Sequence, residues 1–73
     1  MTPLVGELTS REEQVLERIA AGLSYREIGA ELGIRFSTVR SHRDSARRKL
    51  GAASTPHAVA IFIRARASAE LPA

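Results

Sequence analysis

Leu23-Ser24-Tyr25-Arg26-Glu27-Ile28-Gly29-Ala30-Glu31-Leu32-Gly33-Ile34-Arg35-Phe36-Ser37-Thr38-Val39-Arg40-Ser41-His42 carries the densest structural information in the chain. Ser24 and Glu27 have capping-box spacing, Ile28 and Leu32 lie four apart on one helical face, and Gly33 ends the helix. Ile34 plugs the following turn, and Val39 faces inward from a second helix. Gly29 has no side chain, so the second helix can approach closely, and Gly33 can take the positive φ that the turn needs. Together these residues make the pattern of a helix-turn-helix, a motif whose second helix enters a DNA major groove. A helical hairpin with no role in nucleic-acid binding would also bury Ile28, Leu32 and Val39. It would not need Gly29, Gly33 and a basic second helix together.

Outward from this stretch the whole chain reads as helical, with no strand. Before it, Thr9 and Glu12 form another capping box, with Ser10 and Glu13 as a second option. Val15, Leu16, Ile19 and Ala20 then recur at helical spacing up to Gly22. Leu8 precedes this cap and is placed to act as a hydrophobic staple. The expected helices are 10–21, 25–32, 37 to 49 or 50 with a stop at Gly51, and a fourth that starts at Thr55-Pro56 and runs to about Ala67. For the fourth, Thr55 is the expected cap and Pro56 the first helical residue, where its missing N–H had no partner. The fold class is therefore all-α, with four helices in a domain over residues 8–67, a flexible N-terminus at 1–7 and a tail at 68–73.

Composition narrows the function. A chain of 73 residues fits one domain. It has no cysteine, which removes disulfides and thiolate metal sites, and His42 and His57 have no ligand-spaced partners, so no metal and no cofactor are expected. No apolar run reaches the roughly 18 residues that a membrane span needs, and Met1–Glu7 lacks the regions of a signal peptide. A cytoplasmic chain is expected, with no membrane partner and no evident small-molecule ligand. Catalysis has no support, because no nucleophile with a base, no paired carboxylates in a pocket and no phosphate loop can be found. The charge is unevenly distributed. Residues 1–34 hold three Arg against six Glu, net −3, whereas residues 35–49 hold five Arg and one Lys against Asp44, net +5. Such a localised basic block is the electrostatic footprint of a nucleic-acid binder, and equally the composition of a solvated helix face.

On a helical wheel with Val39 at the origin, Ala46 and Leu50 share the core face of the third helix. Ser41, Asp44, Ser45 and Arg48 fall opposite, Arg40 and Arg47 on one flank, and His42 and Lys49 on the other. Arg43 leans to the core edge with a snorkelling stem. Small polar residues among long cations suit a helix that sits deep in a groove.

Leu8-Thr9-Ser10-Arg11-Glu12-Glu13-Gln14-Val15-Leu16, Ala21-Gly22-Leu23-Ser24, Glu27-Ile28, Thr38-Val39-Arg40-Ser41-His42, Arg48-Lys49-Leu50-Gly51 and Ala58-Val59-Ala60 together resemble the LuxR-type, or GerE-like, helix-turn-helix domain of bacterial regulators. The resemblance covers Leu8 to about Arg64. It implies sequence-specific binding of double-stranded DNA through the third helix, as a nucleoid-associated regulator, and a homodimer formed through the fourth. Carried over by position, it implies base contacts at Arg40, Ser41 and Asp44. Backbone contacts are implied at Ser24, Tyr25, Arg26, Thr38 and His42. Ser37, Arg47, Arg48 and Lys49 on the basic helix are added as backbone contacts. The helix-four interface is expected to use Val59, Ile61, Phe62 and Ile63, and either Ile61 or Ile63 should be left in water in a monomer. The alternative is that both isoleucines pack under residues 1–7.

Departures from the family pattern carry their own expectations. Arg35 stands where a small capping residue is usual, so the third helix's cap is expected to slip to Ser37. Phe36 stands where a polar residue is usual. It is expected to fold back onto the domain, the alternative being exposure beside the groove where it could meet a thymine methyl. Asp44 is expected to pair with Arg40 or Arg48 along the helix, the alternative being acceptance from a cytosine amino group. His42 has a packed role on the core flank open to it as well. Two rivals remain: a promoter-binding module like sigma-factor region four, which leaves RNA polymerase as a candidate partner, and a protein-interaction module using the fourth helix. Met1 directly before the domain favours a free-standing regulator over a fragment of a longer one.

Overall fold

Each helix begins where a short polar side chain can take the first orphan N–H groups, with one exception. The structure, a computed structural model, describes residues 5–70 and the side chains of residues 6–68. A single 3-10 turn, Val5–Glu7, leads into α1 (Ser10–Ala20), α2 (Tyr25–Leu32), α3 (Phe36–Lys49) and α4 (Thr55–Glu70). No strand occurs among the described residues. At α1 the Glu12 N–H donates to Thr9 Oγ1 at 3.1 Å and the Thr9 N–H donates to Glu12 Oε1 at 2.8 Å, the expected box. Ser24 and Glu27 repeat it at α2, with 3.2 and 2.8 Å.

The exception is α3. It begins at Phe36 and its cap is Arg35, not Ser37, with no side-chain hydrogen bond to the first turn. A guanidinium has donors only and cannot accept from an N–H. At α4 the cap lies one residue earlier than expected: the His57 N–H donates to Ser54 Oγ at 3.2 Å, and the Ala53 N–H donates to His57 Nδ1 at 3.1 Å. Pro56 thus becomes the second helical residue, where a missing N–H is still harmless. α4 continues past Ala67 to Glu70. The expectations for residues 1–4 and 71–73 lie outside the described residues.

Two apolar clusters hold the helices. Leu8, Leu16, Ala46, Leu50, Ala52, Ala58 and Phe62 join α1, α3 and α4, with Val59 and Ile61 packed against them. Val15, Ile28 and Val39 join α1, α2 and α3, flanked by Ile19, Leu23, Tyr25, Leu32 and Ile34. Gly33 closes α2 at φ +69°. At Gly29 an added Cβ would come within 2.7 Å of the Ile34 carbonyl and 3.7 Å of Val39. The missing side chain therefore admits the backbone of the turn first and α3 second.

One polar group is deeply buried with the core: Glu12 is only 3% exposed. Lys49 Nζ donates to its two oxygens at 2.9 and 3.2 Å and to the Glu7 carbonyl at 3.3 Å, tying the end of α3 to the start of α1. Burial by itself raises the Glu12 carboxyl. Hydrogen bonds from Ser45 and the Thr9 backbone, and the hydrogen bond and charge of Lys49, outweigh that and lower it from 4.5 to about 2. Surface pairs Arg18–Glu31 and Arg66–Glu17 link α1 to α2 and α4. No described helix is long and apolar enough to cross a membrane.

Candidate nucleic-acid interface

The glycine turn presents the N-terminal half of α3 outward. Phe36, Ser37, Arg40 and Ser41 are exposed there, with Arg26 and Arg35 beside them. An open depression of about 480 Å³ at the turn is lined by Arg26, Ile34, Arg35 and Phe36, among others. Arg40 makes no ion pair or hydrogen bond with the described residues; its guanidinium lies over the Phe36 ring, 5.9 Å from the centroid. Ser41 Oγ donates back to the Ser37 carbonyl at 3.1 Å.

Phe36 does not fold away. It is 46% exposed and leans on Tyr25, ring centroids 6.0 Å apart. Tyr25 is in turn clamped by Arg43, whose guanidinium stands 5.4 Å from the ring and donates from Nη1 to the phenol oxygen at 3.1 Å. The same Arg43 donates from Nε to Asp44 Oδ1 at 3.0 Å. Asp44 therefore pairs with its sequence neighbour, not with Arg40 or Arg48. The hydrogen bond from Arg43 holds its carboxyl below the usual range. The bond to Tyr25, then that to Asp44, pushes Arg43 further up. A carboxylate neutralised in this way no longer sets a bare negative charge against phosphate.

The residues expected at the DNA backbone separate into two groups. Ser24, Arg26, Ser37 and Arg48 are exposed, and Tyr25, Thr38 and His42 are half-buried. Ser24 spends its hydroxyl as the cap of α2, and the bond from its backbone N–H lowers Glu27. Arg47 and Lys49 are committed to the fold. Arg47 Nη1 donates to the Ala52 carbonyl at 3.1 Å, closing the turn after α3, and Lys49 is held by Glu12. Ser45, expected on the outward face, is half-buried and near enough to Glu12 to help lower its carboxyl. Arg43 and Arg35 are the functional candidates that sequence reasoning passed over. The signal for Arg43 was its place four residues before Arg47 on the edge facing α2; for Arg35 it was the turn position itself.

On α4, Phe62 is 1% exposed and belongs to the domain's own core, so it is not available at a surface as expected. Of the two isoleucines, Ile63 is the outward one at 43% exposure, while Ile61 packs against the core cluster. Ala60 and Ala67 flank Ile63 at helical spacing and are exposed too.

A helix-turn-helix with this sequence order is what the model of the bacterial regulatory proteins of the luxR family describes, and it matches residues 6–62. The chain belongs to the LuxR family. LuxR-family domains of this kind bind DNA and are not enzymes. The LuxR-family chain is 50% identical over 44 residues to the transcriptional regulatory protein UhpA of Escherichia coli K12, covering 60% of this chain and 22% of that protein. It is 42% identical over 64 residues to the probable transcriptional regulatory protein NarL of Mycobacterium tuberculosis H37Rv, covering 88% of this chain and 30% of that protein. It is 39% identical over 57 residues to the spore germination protein GerE of Bacillus subtilis 168, covering 78% of this chain and 77% of that protein. The LuxR-family chain thus spans less than a third of UhpA and NarL but most of GerE.

Proposed function

We propose that this chain is the DNA-binding unit of a bacterial transcriptional regulator acting at the cytoplasmic nucleoid, that it sets α3 into the major groove, and that it binds an inverted repeat as a homodimer. The carrying observation is the exposed, unpaired Arg40 on the outward face of α3, with Ser37 and Ser41 as small neighbours. Arg40 and Ser41 then meet base edges, while Asp44, held by Arg43, lies beside them. Arg26 and Arg48, with Ser24, Tyr25, Ser37, Thr38 and His42, line the phosphates on either side, and they position the helix without reading sequence. Arg47 and Lys49 add charge but hold the fold first.

The exposed row Ala60, Ile63 and Ala67 supports the dimer, with half-buried Val59 at its margin, while Ile61 faces the domain's own core. A fully buried Ile contributes roughly 1.5–3 kcal/mol, which a two-fold pairing of α4 recovers on both copies.

Affinity for duplexes selected from a random pool, titrated with salt, tests the reading. It should fall with a log–log slope of about −0.9 for each phosphate neutralised. Binding that does not change with salt, or that enriches no sequence, contradicts it. Ile63→Asp should give a folded monomer by sedimentation, with weakened binding to the paired site. A dimeric Ile63→Asp variant would refute the α4 interface.

A further inference from the structure

We infer that Phe36 is a specificity-determining residue: with Arg40 it forms a stacked unit that reads a guanine together with a neighbouring thymine. The inference rests on the DNA-binding reading above and goes beyond it.

Phe36 is the first residue of α3, at the end of the helix that such motifs direct at base edges. It is one of the two large apolar side chains left exposed among the described residues, and it lies on the face where Arg40 emerges. Its ring rests against Tyr25, which Arg43 in turn clamps by its ring face and its hydroxyl, so the exposed ring has a held neighbour behind it. Arg40 lies over it, one helical turn on, with no other partner. At 5.9 Å from the ring centroid the guanidinium is in cation–π range, and it has no hydrogen-bond or ion-pair partner among the described residues, so its N–H donors are free. Those donors match O6 and N7 of guanine, and the apolar ring beside them matches the C5 methyl of thymine, the one apolar feature in the major groove. An exposed Phe next to a phosphate would gain nothing; next to a thymine methyl it removes apolar surface from water on both sides.

Two steps test this on the full chain. Wild type, Phe36→Ser and Phe36→Leu are each used to select duplexes from a random pool, with circular dichroism to verify folding. Each thymine of the selected site is then replaced by uracil, which removes only the methyl. The wild type should enrich a thymine beside the guanine of each half-site and lose about fourfold in affinity per uracil, the equivalent of one methyl-sized group. Phe36→Ser should lose both the thymine preference and the uracil effect and, having lost the ring under Arg40, should select guanine less strictly. Phe36→Leu should retain the uracil effect, being apolar, but discriminate less at the guanine because Arg40 has lost its ring. Sequence-selective wild-type binding without a uracil effect, or an unchanged thymine preference in Phe36→Ser, overturns the role of Phe36 and leaves DNA binding standing. A wild type that selects no sequence overturns both.

Discussion

The two halves of α3 differ in what their cations do: the first half holds Arg40, and the second holds Arg43, Arg47, Lys49 and the exposed Arg48. In the first half Arg40 is free of ion pairs, lies across an exposed ring and faces outward. In the second half Lys49 is fastened to the buried Glu12, and Arg47 to the Ala52 carbonyl. Arg43 stands at the join, holding Tyr25 on one side and Asp44 on the other. One helix is therefore a reading edge at its N-terminal end and a structural bolt at its C-terminal end. A count of positive charge describes neither role, because what matters is whether a carboxylate or carbonyl waits for each cation in the folded chain.

The largest effect that could break this contrast is at Lys49. Removing Lys49 strips the buried Glu12 of its charge-assisted hydrogen bonds and leaves it those of Ser45 and the Thr9 backbone. Lys49→Ala should destabilise the domain by about 2–3 kcal/mol, read as a lower urea midpoint, while the ratio of specific to random DNA binding by the folded fraction stays unchanged. A variant as stable as wild type with weaker DNA binding would move Lys49 into the interface.

Acid probes the same bolt without mutation. The Glu12 carboxyl lies at about 2 in the folded protein against an ordinary 4.5. Its contribution is complete above the ordinary value and is lost as pH falls through that window, on the order of 3 kcal/mol in all. Unfolding free energy should therefore decline with acidification below about pH 4.5, and Lys49→Ala should show a shallower decline. A flat profile would mean that Glu12 is not the tie between α1 and α3.

The smaller structural effect belongs to Arg47. Losing its hydrogen bond to Ala52 should lower stability by about 1 kcal/mol. Arg47→Ala should weaken specific and random DNA alike, since no base contact is removed. A change in the preferred sequence would place it on the reading edge.

What was legible beforehand follows the range of each interaction. The capping boxes at Thr9 and Ser24, the glycine turn and the core positions Ile28 and Val39 are set within a few residues, and local pattern is enough to find them. The cap of α4 was missed by one residue because Ser54 and Thr55 are both good caps, and the ring of His57 accepting the Ala53 N–H decides between them. The cap of α3 was misplaced because Arg35 starts the helix with no side-chain acceptor at all. The partners of the cations were not legible. Lys49 finds Glu12 from 37 residues away and Arg43 finds Tyr25 from 18. Once Tyr25 anchors Arg43, Asp44 takes the nearest guanidinium in place of one a helical turn away. Phe36, expected to fold back because it is apolar, stays exposed and touches the domain through Tyr25.

The most direct measurement is the ratio of affinities for the selected site and for random DNA in Arg40→Ala, with the urea midpoint determined alongside. The division of α3 predicts a loss of about 1–3 kcal/mol on the selected site, a relaxed sequence preference and an unchanged midpoint. An equal loss on selected and random DNA would show that Arg40 only holds phosphate, and would contradict the assignment of the first half of α3 to reading.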